Sequence, residues 1–505
     1  MTLAGIIKNS ITYRFLSGIR NAAANSYSYK LLRTPPRYTS PQFMKDSLIL
    51  RTASGLARLL LRPLSSSGSA LRRWSGGSAV FNLKAPEVLA QSQFFKAAAG
   101  IRVETALWLA VLYPVVDYLL RSAPAPGFLA GSWDELLLVF IIAAWPVQMA
   151  LRGKVTYRYT GLDIPVLVYM GIVLFLFFMR SRNVSLAVEG ARLYLEYLVW
   201  FFIGSNLILN RRQFDALVKG MIGVAALVAV VGVYQYIIGV QMPAGWVDQA
   251  EAELRTRVFS IVVSPNVLGS LLVLFIPLTT GQLLISRGRW ARAAYLAALA
   301  VMLACLVFTF SRGAWLALGL SLTALSLMYN PLLLLIMAAG AIAAARLVPG
   351  IGTRLSYMLS PAYLASSQKG GRLGLWQMGL DRLRQDPLFG SGFGTFGGAV
   401  AARRVPGSFY VDNFYLKTAV ESGLIGLLAL LWLLAGAFRF GYVAYRKIKD
   451  SGLKVLAAAI LSGLLGVAAH NVVENIFEVP MMATYFWLLA GILVSLPHID
   501  DSQAG

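Results

Sequence analysis

The sequence predicts an all-α, polytopic membrane protein with about twelve transmembrane helices and one large external loop. Three observations predict it. The 505 residues are 58% hydrophobic and only 13% charged, which excludes an ordinary soluble enzyme. Runs long enough to cross about 30 Å of hydrocarbon at about 1.5 Å per residue recur from residue 103 to the end. Those runs are rich in Leu, Ala, Gly and Val without sustained alternation, so helices satisfy their backbones and a closed barrel is not indicated.

In order, residues 1–98 form a Ser-, Arg- and Ala-rich tail with fourteen Lys or Arg against Asp46 and Glu87 and no segment long enough to span. It lacks the apolar core of a signal peptide, and its SGLARLLLRPL stretch suits a short helix on anionic headgroups. Residues 99–346 hold helices 1–9, at about 103–120, 134–150, 162–179, 190–209, 214–240, 266–286, 292–310, 313–329 and 331–347. Residues 347–412 form the large loop, and residues 413–505 hold helices 10–12, at about 413–440, 455–472 and 480–497, with a short C-terminus. Within the loop, RLGLWQMGLDRL puts Leu373, Trp376, Leu380 and Leu383 on one helical face, Pro387 stops that helix, and GSGFGTFGG is too glycine-rich for regular structure.

The formal charge of +23 points to anionic lipid rather than nucleic acid, because most of it sits in the tail and the short inter-helix loops. Arg152, Lys154 and Arg158, Arg211 and Arg212, Arg287, Arg289 and Arg292, and Arg446, Lys447, Lys449 and Lys454 fall with the tail on one side, which charge bias makes the cytoplasm. The opposite, extracytoplasmic side collects residues 248–257, the turn at Ser311-Arg312, the long loop and the stretch beginning at His470. Arg180 and Arg182 lie there too, as interfacial anchors.

Arginines placed on that side against the bias are candidates for holding an anion. Arg257 precedes Ser264-Pro265-Asn266, an N-cap and first-turn pattern, and serves either anion binding or surface solvation. Arg312 sits between two spans with essentially no loop, where a charge either snorkels or faces a polar site. Arg372 opens the amphipathic helix after two glycines, and exposed amides plus a guanidinium suit phosphate oxygens. Asp412 is either the N-cap of the tenth span or a base beside the cationic loop. Glu421, two turns into that span, should face protein rather than lipid. His470 and Glu474, four apart, read as a hydrogen-bonded pair pinning a helix end or as alternative bases. His498 reads as a solvated cytoplasmic residue. A single cysteine, Cys305, excludes an intrachain disulfide and a multi-cysteine metal site, and no HExxH, Walker loop or GxSxG is present. No metal or other cofactor is expected.

Together, RVFSIVVSPNVLG, FTFSRGAWLAL, GGRLGLWQMGLDRLRQDPLFGSGFGTF and DNFYLKTAVESGLIGLL resemble the O-antigen ligase and polymerase superfamily of bacterial membrane glycosyltransferases, over about residues 190–497. The resemblance implies a GT-C-like bundle in the bacterial cytoplasmic (inner) membrane, with both ends cytoplasmic and the active site on the extracytoplasmic face. It implies metal-independent transfer of a glycan from an undecaprenyl diphosphate carrier to a saccharide, lipid or protein acceptor. It places Arg257, Arg312 and Arg372 on the diphosphate. Where the family has a histidine as proposed base, directly before the Asn of the last motif, this chain has Asp412. One displacement at the anomeric carbon would invert its configuration. The rival reading is a flippase or exporter of the same lipid-linked glycan, which shares the cationic face and needs no base, and an envelope scaffold is a third.

Overall fold

The computed structural model describes residues 103–123, 127–151, 157–241, 256–262, 264–347, 352, 356–357, 360–369 and 371–501. The basic tail, Arg152, Lys154, residues 248–255 and Arg354 lie outside the described residues. All secondary structure among the described residues is helical.

Every one of the twelve apolar runs is helical. The first is two helices, α1 (Val103–Val111) and α2 (Tyr113–Ser122), broken at Leu112 where Pro114 enters the first turn of the second. Then come α3 (Gly127–Leu151) and α4 (Asp163–Arg180). The fourth run is α5 (Val184–Leu195), a 3-10 turn at Glu196–Leu198 and α6 (Val199–Leu207). They are followed by α7 (Arg211–Ile238), α8 (Pro265–Ile285), α9 (Arg289–Phe308), α10 (Arg312–Met328) and α11 (Leu332–Leu347). The loop carries α12 (Pro361–Gln368), α13 (Arg372–Gln385) and α14 (Ala399–Arg404), and the chain closes with α15 (Phe414–Lys447), α16 (Ser451–His470) and α17 (Pro480–Asp501). Eight of the described helices are long and apolar enough to cross a membrane. The other predicted spans are broken or shorter, as in the 17-residue α10.

Three helices form the centre. The apolar windows of α8, α16 and α17 are 78%, 78% and 83% buried inside the protein, against 17% for α9, which therefore presents most of its surface outward to lipid. The helix ends pair at both ends of the bundle. At one end Arg211 of α7 meets Asp450 before α16, and Asp500 of α17 accepts from the Lys449 amide. At the other, the Phe414 amide donates to the Asn471 carbonyl at 3.0 Å.

The predicted amphipathic helix is α13, ended before Pro387 as expected, and it lies against α15. Its apolar face is only partly used. Trp376 and Leu383 pack on a cluster of Phe396, Val411 and Val420, whereas Leu373 and Leu380 remain exposed. Trp376 also donates its indole N–H to the Val411 carbonyl at 3.0 Å.

The glycine-rich segment owes its composition to α15, which breaks at Gly423 with φ 67° and ψ −175°. The break frees helix amides and carbonyls that must find partners inside the bundle. Loop residues supply them: Leu424 and Ile425 donate to the Pro387 and Leu388 carbonyls at 2.8 and 3.3 Å, and Ser391 and Gly392 donate to the Val420 and Glu421 carbonyls at 2.8 and 2.9 Å. The backbones approach so closely that a Cβ on Gly423 would lie 2.1 Å from the Leu388 oxygen, and one on Gly390 (φ 70°) 2.5 Å from the Gly423 nitrogen. Arg180, expected to be only an interfacial anchor, reinforces the clamp by pairing with Asp386 and donating to the Gly390 carbonyl at 3.1 Å.

Beneath the clamp lies a buried charge network. Lys417 Nζ contacts Glu421 Oε2 at 2.5 Å, Tyr194 Oη at 3.0 Å and Glu478 Oε1 at 3.2 Å. Tyr194 donates to Glu421, while Glu421 and Glu478 accept from the Phe396 and Ala399 amides. Glu421 thus faces protein, as expected. Removing one partner of such a group strands the others. Lys417→Ala is expected to destabilise the fold by about 3–5 kcal/mol, whereas Arg384→Ala, breaking an exposed pair with Asp381, should cost less than about 1 kcal/mol. Thermal unfolding of both variants in the same detergent checks the contrast. Gly423→Ala should release the loop, seen as faster proteolytic cleavage between α13 and α14 than in the wild type.

Candidate functional site

The site is built at the end of the bundle where α8, α10, α13, α15 and α16 terminate. Ser264 caps α8 as predicted, accepting from the Val267 amide at 3.4 Å, with Pro265 in the first turn. That fixes Asn266 and, one turn on, Ser270 toward the interior.

Arg257 is only 9% exposed, so surface solvation is not its role. The segment bearing it is held by Gln235 of α7, whose Oε1 accepts from the Phe259 and Ser260 amides at 3.1 and 2.7 Å. Its Nε donates to the Thr309 carbonyl at 3.0 Å and its Nη2 to Asn266 Oδ1 at 3.1 Å. Arg257 therefore grips the turn that leads directly into Arg312. Arg312 is the first residue of α10 and sits 4.8 Å from the centroid of the Tyr363 ring on α12. The loop covers this arginine, so it does not snorkel along lipid.

Asn266 continues the chain by donating to Glu474 Oε1 at 2.5 Å. The same carboxylate accepts from Arg372 Nη2, and Arg372 Nε lies 3.4 Å from Asp412 Oδ2. Arg372 is the first residue of α13, as the sequence predicts. Arg257, Asn266, Glu474, Arg372 and Asp412 are thus one continuous polar chain, joined to Arg312 through the Thr309 turn.

Asp412 is not a helix cap. Asn413 caps α15, accepting from the Leu416 amide at 2.9 Å, while Asp412 stands outside the helix with φ 48°. Among described non-glycine residues, Ser260, Phe310 and Asp412 have left-handed backbones, with φ of 52°, 50° and 48°. Each lies in one of the segments that deliver the site, and backbone strain of this kind concentrates where side-chain placement is over-determined.

His470 and Glu474 do not form the expected pair. α16 ends at His470, so Glu474 follows in a turn rather than four residues along the same helix. His470 is buried, with Nδ1 2.5 Å from Ser270 Oγ and Nε2 without a hydrogen-bond partner. That Nε2 faces the start of α10, where a Cβ on Gly313 would come within 2.9 Å of it.

Burial raises Asp412 above the usual carboxylate range, with Arg372 opposing the shift. Burial also raises Glu474; the charge of Asp412 adds to it, while Arg372 and Arg257 oppose it. The two carboxylates titrate as a linked pair across one guanidinium.

A family model described as O-Antigen ligase matches residues 297–431. The chain is similar to that family over those residues. It is also similar to the exopolysaccharide production protein ExoQ of Rhizobium meliloti (strain 1021), with 30% identity over 125 residues, 23% of this chain and 27% of the relative. The aligned part thus spans about a quarter of that relative's length. Arg312, Arg372 and Asp412 fall inside the matched segment; Arg257, His470 and Glu474 lie outside it, and geometry alone brings them to the site.

Sequence reasoning read Asn266 only as part of a cap and first-turn pattern, and it missed Ser270 and Tyr363, which carry no pattern of their own. It also missed Lys417, for which a signal existed: Lys417 and Glu421 are opposite charges four apart inside an apolar run. The pairing of Arg372 with Glu474 yields a test. Arg372→Met leaves Glu474 buried without its cation, and adding Glu474→Gln should restore part of the lost stability. A double-mutant cycle on thermal unfolding is expected to give a coupling of about 0.5–3 kcal/mol, and additive losses would contradict the pairing.

Proposed function

We propose that the protein is a membrane glycosyltransferase that moves a glycan from an undecaprenyl diphosphate carrier to an acceptor hydroxyl on the outer face of the bacterial cytoplasmic membrane. It would act as a cell-surface polysaccharide ligase or polymerase. The observation that carries this reading is the convergence of Arg257, Arg312 and Arg372 with two carboxylates at one end of a bundle that includes the segment similar to the O-antigen ligase family. Similarity to an exopolysaccharide production protein supports the same class of reaction. Charge bias supports the extracytoplasmic placement.

In this mechanism the arginines hold the diphosphate. Asp412 takes the proton of the acceptor hydroxyl, the resulting oxygen attacks the anomeric carbon, and the bond from that carbon to the diphosphate oxygen breaks. The arginines offset the charge that grows on the leaving diphosphate, where electrostatic stabilisation counts most. A single displacement inverts the anomeric configuration.

Asp412 suits the base better than its neighbours. Its side chain is 33% exposed against 11% for Glu474. Glu474 Oε1 is already occupied by Arg372 and Asn266, and His470 is enclosed. Glu474 then aligns Arg372 and raises the proton affinity of the pair.

The test is transfer by the purified protein in detergent, from undecaprenyl diphosphate-linked glycan to a candidate acceptor without nucleotide. Asp412→Asn should lower turnover by about 10²–10⁴-fold while donor binding persists, and Arg312→Ala should weaken donor binding as well. An exporter would tolerate Asp412→Asn with flipping in liposomes intact, and product of retained configuration would exclude a single displacement. Because the base must be ionised, activity should rise with pH through a value above the ordinary aspartate range. Glu474→Gln removes the competing carboxylate and leaves the Arg372 charge to Asp412, so the acidic limb of the pH profile should move to lower pH.

A further inference from the structure

Away from this network, three carboxylates from two elements meet at the contact of α3 with the break between α5 and α6. Asp134 and Glu135 follow a kink in α3 at Ser132, and Glu196 opens the 3-10 turn. One oxygen of each lies within 4.8 Å of the others. The only cation bonded to the group among the described residues is Arg192, which pairs with Glu135 and lies 3.4 Å from Glu196. Nearby Arg121 is taken up by Asp117. Three carboxylates against one guanidinium carry a formal charge of −2 when ionised, at a partly buried site inside a membrane bundle where unneutralised charge is costly.

The donors are also under-used. Asp134 accepts from the Tyr113 hydroxyl at 2.6 Å, but Glu135 Oε2 and both Glu196 oxygens are buried without a hydrogen-bond partner. An independent residue points the same way. Tyr197 is 2% exposed, its hydroxyl has no hydrogen-bond partner, and it sits within charge-interaction range of all three carboxylates. A buried phenol left unbonded beside buried carboxylate oxygens is a costly arrangement unless a ligand joins them.

We propose that Asp134, Glu135 and Glu196, with the Tyr197 hydroxyl, form a calcium site that ties α3 to the α5–α6 break. All the donors are hard oxygens, which suit calcium or magnesium rather than zinc or copper. Calcium takes oxygens at roughly 2.3–2.6 Å, so donors on opposite sides stand about 4.6–5.2 Å apart. Oxygens within 4.8 Å of one another can reach a single ion, and calcium's flexible coordination accepts such an uneven set of protein oxygens, whereas magnesium demands near-ideal octahedral geometry and keeps several waters. A divalent cation also cancels the net charge. The charge-derived topology places the cluster on the extracytoplasmic side, as it does the arginine network, but the site stands independently of the transferase reading.

Full-length protein, stripped with chelator and held in detergent, tests this by calorimetric titration with calcium chloride and, in parallel, magnesium chloride. Wild type should bind one calcium per chain, with a dissociation constant of about 10⁻⁴–10⁻³ M, as in extracellular calcium modules, and its Tm should rise with calcium. Glu196→Gln should weaken binding by roughly tenfold or more, since affinity follows ligand charge. Tyr197→Phe, which keeps the packing, should weaken it by a smaller factor and serves if Glu196→Gln does not fold. Asp381→Asn, in an exposed pair on α13, should bind as wild type does. Absence of saturable calcium binding by wild type would overturn the site and leave a proton shared among the carboxylates. Unchanged affinity in Glu196→Gln or in Tyr197→Phe, or equal affinity for magnesium, would overturn the assignment.

Discussion

The structure depends on neutralising Lys417 within the protein. A lysine that is 1% exposed inside a membrane helix has no water to turn to, and its charge is acceptable only because Glu421, Glu478 and Tyr194 surround it. Those partners come from different parts of the chain and carry other groups with them. Glu421 binds the Phe396 amide and Glu478 the Ala399 amide, so the requirement to satisfy one ammonium also anchors the far side of the glycine-rich loop. The helix break at Gly423 anchors its near side, because freed backbone groups in a bundle have nowhere else to bond. A segment that composition alone would call irregular is therefore pinned at both ends.

On this floor the arginine network stands in a different condition. The lysine network is closed: each charged group meets an opposite charge or an amide. The network above it reaches solvent through Asp412, and three of its segments carry left-handed, non-glycine backbones. Strain above and full satisfaction below are complementary, since a rigid base lets the chain hold Asp412 and the turn before Arg312 in conformations they would not keep alone. Arg372 bridges Asp412 and Glu474 and holds two carboxylates near each other that would otherwise repel. An incoming anionic group would compete with those carboxylates for the guanidinium, and that competition would free Asp412 when a donor binds.

The same economy explains why the segment similar to the O-antigen ligase family, residues 297–431, holds only part of the site. Arg312, Arg372 and Asp412 lie within it, but Arg372 is oriented by Glu474 and Arg312 is reached from Arg257, both outside it. The loop residues alone do not make the receptor. It requires the ends of α8 and α16, the enclosed helices on which the bundle is centred.

The sequence by itself determined the helical membrane class, the position of each apolar run, the cap at Ser264 and the stop at Pro387. These follow from local rules: hydrocarbon thickness sets run length, proline lacks an amide, and charges avoid the bilayer interior. It also put Arg257, Arg312 and Arg372 forward by their placement against the charge bias, and Asp412 as a carboxylate beside the cationic loop. Only the tertiary structure decided that Asn413 and not Asp412 caps α15, that His470 and Glu474 part company at the end of α16, and that only Trp376 and Leu383 of the α13 face pack on the inner cluster. It alone joined Asn266 to Glu474 across 208 positions and gathered Asp134, Glu135 and Glu196. The reason is physical. Local propensity reads spacing along one helix, whereas pairing a buried charge depends on which helix ends the packing brings together, and that is settled over the whole bundle at once.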